Sequence, residues 1–171
     1  MRLKTPAFVL GLLLALVAPV AAIEVPQTRR EFVQAVSEGR GATKMETLTA
    51  EMSLDQVYNL LEKKSTTCLD KVVNRSSYVG YHEVSSSDYN PTLKRVGKNK
   101  AEFALQVVHR PRGVGHTPPP GGLFIMAADL KSVAKNRTEV NFYQPTIGFK
   151  NISKTLRLWF AGEDADCPKL K

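Results

Sequence analysis

The chain has 171 residues, 43% of them hydrophobic and 23% charged, with a formal net charge of +8. That length suits one domain with a core of its own, able to fold without a partner. Two cysteines far apart in sequence, with no histidine nearby, do not make a zinc pattern. No phosphate loop, Gly-x-Gly-x-x-Gly, His-Glu-x-x-His or Gly-x-Ser-x-Gly pattern announces nucleotide, metalloprotease or serine-hydrolase chemistry.

Residues 1–22 read as a secretory signal peptide. Arg2 and Lys4 form a basic start, 7–20 is an apolar run, and Val20-Ala21-Ala22 offers a cleavage site before Ile23. The run is shorter than the roughly 20 apolar residues a membrane span requires, and Pro19 interrupts it. No cysteine follows it to take a lipid. Cleavage would leave 149 residues and lower the net charge to +6, because Arg2 and Lys4 are lost. The expected location is therefore periplasmic or secreted. A positive charge there favours anionic surfaces and makes nucleic acid a poor partner. The plainer reading of the charge is solubility.

The mature chain is expected to open with an N-terminal extension, 23–42. Within it Thr28 caps a short helix over 28–38 that has Glu31 three residues on and an apolar side of Phe32, Val33 and Val36. Residues 43–52 read as a strand. Ser53, with Gln56 three residues later, opens a helix whose stripe of Leu54, Val57, Tyr58, Leu61 and Cys68 faces the core. From Val72 the apolar pattern turns to period two. The serines, Asp88, Asn90 and Pro91 of 85–92 predict a turn. Residues 93–96 and 101–109 predict a hairpin around Gly97-Lys98-Asn99-Lys100, with Phe103, Leu105 and Val107 on one face.

The Gly/Pro-rich stretch 110–122 predicts a loop. Strands are expected over 123–130 and 138–143. A last helix is expected over 151–161, with Ile152, Leu156, Trp159 and Phe160 on its apolar side and Gly162 ending it. Cys68 and Cys167 are an even pair in an exported chain and predict a disulfide. The order predicts an α+β domain over 43–171, an antiparallel sheet with helices against one face.

Four local stretches carry a resemblance to a known family. They are Met52-Ser53-Leu54-Asp55-Gln56-Val57-Tyr58, Gly121-Gly122-Leu123-Phe124, Thr138-Glu139-Val140-Asn141-Phe142-Tyr143 and the helix ending in Leu158-Trp159-Phe160. Over roughly 43–162 the chain resembles the START-like, polyketide cyclase-like helix-grip superfamily. The extra N-terminal helix and the cysteine pair depart from that pattern. The resemblance implies a sheet wrapped on a long C-terminal helix and a hydrophobic ligand held between them. The implied ligand-binding residues are Tyr81, Phe103, Leu105, Phe142, Leu156 and Trp159, with His82 or His109 as polar handles. Tyr81 and His82 point to opposite faces of their strand, so only one of them can serve. The plain alternative is that the apolar members simply fill the core.

His82, His109 and His116 show no metal-ligand spacing. Lys94, Arg95, Lys98, Lys100, Arg110 and Arg112 gather near one hairpin, either as an anionic-surface patch or as a solvated edge. Asn74, Asn136 and Asn151 lie in glycosylation sequons, expected to be empty in a bacterial exported protein. The functional expectation is a monomeric, non-catalytic carrier of a lipid or other hydrophobic small molecule, without cofactor. The alternative is a cell-envelope interaction module with a solid core and a basic patch that could meet an anionic membrane. An enzyme would be sought first at His82, His109 and Arg110.

Overall fold

The computed structural model describes residues 25–78, 82–110 and 118–170, apart from the side chains at positions 77, 78, 82 and 83. The expected signal peptide lies outside the described residues, as do Tyr81, Arg112 and His116. Three helices are described, α1 (Arg29–Ser37), α2 (Leu54–Lys64) and α3 (Lys150–Phe160). Six strands accompany them: β1 (Thr43–Ala50), β2 (Lys71–Tyr78), β3 (His82–Arg95), β4 (Lys100–Arg110), β5 (Leu123–Ala134) and β6 (Arg137–Pro145). The strands make one antiparallel sheet in the order β1-β6-β5-β4-β3-β2. The class is α+β, as the pattern of periods predicts.

The expected helix starts are met. Ser53 caps α2 in a reciprocal capping box with Gln56. Thr28 accepts from the amide of Glu31 (3.2 Å), while the Glu31 carboxylate reaches past the cap to the amide of Gln27 (2.7 Å). After α2 the chain makes one π-helical turn, Ser65–Leu69, which buries Cys68 and Leu69. Cys68 is bonded to Cys167 across 99 residues, with Cα atoms 5.2 Å apart.

Two features differ from the sequence expectation. The last helix has 11 residues, the same length as α2, and is not a long one. Residues 85–92 are not a turn, because β3 runs through them without a break. Their pairing decides this over their composition: Ser85–Tyr89 pair with β2 and Ser86–Arg95 pair with β4. Pro91 lies beyond Tyr89, the last β3 residue that β2 pairs, where the strand has become an edge and tolerates a proline.

The main core lies between one face of the sheet and the helices α2 and α3. Phe103, Leu105 and Val107 of β4, Phe142 of β6 and Leu156, Trp159 and Phe160 of α3 meet there with almost no exposure. Phe160 sits edge-on to Phe103 and Phe142, with centroids 5.7 and 5.0 Å away.

The other face is covered too, by α1. Phe32, Val33 and Val36 pack on Phe124, Ala127 and Tyr143. Arg29 fastens this layer. Its guanidinium donates to the carbonyls of Phe103 (3.2 Å) and Ala128 (2.8 Å), pairs with Asp129 and approaches Glu102 (3.6 Å). Asp129 also accepts from the Tyr143 hydroxyl (3.0 Å). Burial, the Asp129 charge and that hydrogen bond push the tyrosine up to about 12.

The entry to β5 is fixed by contact. Buried Gln106 donates to the carbonyls of Pro120 (2.9 Å) and Gly122 (2.8 Å). A Cβ on Gly122, whose φ is +99°, would stand 2.3 Å from the Val107 carbonyl oxygen, so only glycine fits. Among the described residues no helix is long and apolar enough to cross a membrane.

Candidate functional site

The inward face of the sheet changes chemistry along its strands. On β4 the inward residues run Phe103, Leu105, Val107 and then His109. On β3 they run Tyr89, Ser87, Ser85, and on β2 Val73, Arg75. Cross-strand pairing sets Tyr89 against Val107 and then Ser87 against His109. The apolar stripe that packs on α3 thus ends in a polar row just where α3 begins.

A cleft of about 710 Å³ opens there. Its floor includes Tyr89 and Ile152, both buried, with half-buried Phe149. Its rim carries Arg75, His109, Arg110, Lys150 and Lys169 together with Ser85, Ser86 and Asn151. Ser87 and His109 are joined by a hydrogen bond between Oγ and Nδ1 of 2.9 Å. No carboxylate lines the cleft among the described residues. Arg75, Arg110, Lys150 and Lys169 are exposed and have no ion-pair partner among them.

Local backbone aims this end of the molecule. Gly148 and Phe149 both have positive φ (69° and 39°) and turn the chain from β6 into α3. For Phe149 that conformation is strained, and strain of this kind gathers at binding sites. No side chain caps the first turn of α3, so its free amides face the cleft end of the helix.

Of the expected ligand-binding residues, His109 lines the cleft. Phe103, Leu105, Phe142, Leu156 and Trp159 are each 0% exposed and lie within the packed core. Tyr81 lies outside the described residues, as does the side chain of His82. The basic hairpin is also divided. Lys94 pairs with Glu102 (3.4 Å), and Arg95 pairs with Asp55 while lying 4.5 Å from the Tyr58 ring centre. Arg110, at the far end of β4, belongs to the cleft. Arg75, Ser85, Ser87 and Lys150 were not singled out in sequence as site residues. Their one signal is a polar continuation of an inward stripe, which the composition of 85–92 hides.

The arrangement can bind and orient an anion beside a small apolar surface. Ser87 and His109 supply a hydroxyl and an imidazole in contact, but no carboxylate orients the ring among the described contacts. No group of three His, Cys, Asp or Glu side chains is placed to hold a metal ion among the described residues. Compared with known proteins, the chain matches no family model and no curated relative.

Proposed function

We propose that this chain is an exported, non-catalytic binding protein of START-like, helix-grip design, and that its cleft takes the polar end of a lipid or other amphiphile. The element order supports the design: a strand, a helix, five antiparallel strands and a last helix, with α2 and α3 against the same face. In this reading the sheet curves around α3 and the cleft is the open end of that grip. The disulfide is in keeping with export.

One observation carries the ligand class. The cleft sets four cations, without ion-pair partners among the described residues, beside half-buried Phe149 and over the buried Tyr89 and Ile152. A volume of about 710 Å³ lies within the range of small-molecule sites. The core beneath it is filled, so the apolar part of the ligand rests at the cleft surface beside Phe149 rather than among Phe103, Phe142 and Trp159.

The filled core also favours a second reading, in which the same cations meet an acidic partner in the cell envelope. Native mass spectrometry of the protein purified from its own compartment separates the two. The expected result is an added mass of lipid size that organic extraction removes. A bare mass, together with no saturable binding of single-chain anionic amphiphiles, would leave the partner-binding module in its place.

A further inference from the structure

We infer that the basic end of the cleft is a phosphate site, and that the amphiphile it holds is phosphate-headed; the inference rests on the amphiphile reading above. The charge count points there. Arg75, Arg110, Lys150 and Lys169 line one cavity, with no carboxylate in its lining and no ion-pair partner among the described residues. Elsewhere Lys94, Arg95 and Arg137 are met by Glu102, Asp55 and Glu51, while other exposed lysines such as Lys71 and Lys154 have no ion-pair partner among the described residues; what sets the four cations of the cleft apart is that they line one cavity. A single carboxylate brings one negative charge and two oxygens. It would leave most of these cations facing one another in a partly enclosed space.

A phosphate monoester brings a charge of about −1.5 to −2 at neutral pH and three strong acceptor oxygens. Two arginines can engage those oxygens in bidentate fashion, and two lysines add point charges. Ser85 and Ser87, on the inward face of β3, and Asn151 at the start of α3 line the cleft and add neutral polar groups. The first turn of α3 adds a favourable field to a site whose charge comes from these side chains. The half-buried Phe149, over buried Tyr89 and Ile152, then offers apolar surface to the carbon atoms next to the ester oxygen.

Calorimetric titration of the oxidised protein with four probes tests this: decyl phosphate, decanoate, decyltrimethylammonium and inorganic phosphate. Decyl phosphate is expected to bind about tenfold or more tighter than decanoate, since it gains at least one further charge-assisted hydrogen bond. Inorganic phosphate is expected to compete weakly and decyltrimethylammonium not at all. The Arg75→Gln/Lys150→Gln variant, altered only at exposed residues with no ion-pair partner among the described residues, should unfold at the unchanged temperature and lose most of the phosphate preference. Equal affinity for decyl phosphate and decanoate would overturn the phosphate site and leave the amphiphile reading standing. No binding of either would overturn both. Inorganic phosphate binding as tightly as decyl phosphate would uphold the phosphate site and overturn the amphiphile.

Discussion

Glu46 shows how one residue ties three elements together. It lies on β1, accepts from Gln144 of β6 (2.8 Å) and pairs with Arg157 of α3, which also donates to Gln144 (3.0 Å). Burial works to raise its pKa. Hydrogen bonds from Arg157 and Gln144 and the charges of Arg157 and Lys44 outweigh that, holding the carboxyl below its ordinary value of 4.5. A depressed carboxylate stabilises the fold above the unfolded value. Its contribution is lost as pH falls from about 4.5 through the lower folded value. Glu46→Gln should therefore cost about 1 kcal/mol at pH 7, the scale of a partly exposed pair. Urea titrations at pH 7 and at a pH well below 4.5 should show that cost shrinking as the wild-type carboxylate takes up its proton. An equal cost at both pH values would assign the effect to packing.

At the scale of elements, α1 is a layer attached to a sheet that is complete without it. Its apolar contact is small, Phe32, Val33 and Val36 on Phe124, Ala127 and Tyr143, so Arg29 bears much of the attachment. Arg29→Met keeps the aliphatic stem and removes the donors to Phe103, Ala128 and Asp129. It should cost about 2 kcal/mol, leaving carbonyls and a carboxylate short of a partner. Hydrogen exchange should show α1 amides losing protection while β4 and β5 keep theirs. Equal loss across the sheet would make α1 part of the main cooperative unit. The attachment was only half legible in sequence. Phe32, Val33 and Val36 announce a narrow apolar side, but Arg29 reads as one of two surface arginines, because its partners are backbone carbonyls 74 and 99 residues away. The Ser53 cap, the β4 alternation and the end of α3 at Gly162 were legible, each being set within a few residues. Residues 85–92 were not, since their turn-forming composition is local and the pairing that overrules it is not. The cleft was hidden for the same reason. Arg75, Ser87, His109 and Lys150 look unrelated until the strand register and the turn at Phe149 bring them to one place.

At the scale of the molecule, the Cys68–Cys167 bridge links stability to the cleft. Cys68 is buried in the turn after α2, and Cys167 is held in an exposed tail. That tail is fastened on both sides of the bridge. The Trp159 indole and the Lys64 amine both donate to the Ala165 carbonyl (2.9 and 2.6 Å), Pro168 is buried, and Leu170 packs on the core. Lys169, between buried Pro168 and core-packed Leu170, lies at the cleft rim. A bridge across 99 residues limits the unfolded chain by about 4–5 kcal/mol on the chain-entropy model, an upper figure for the stability it brings. Replacing both cysteines by serine should lower the urea midpoint markedly, and should also weaken decyl phosphate binding by loosening Lys169. Lys169→Gln separates the two effects. It should weaken binding about twofold to fivefold, the scale of one exposed charge contact, and leave the urea midpoint in place. If the serine variant bound decyl phosphate as tightly as wild type while Lys169→Gln did not, the tail would be holding its course without the bridge. The disulfide would then serve stability alone.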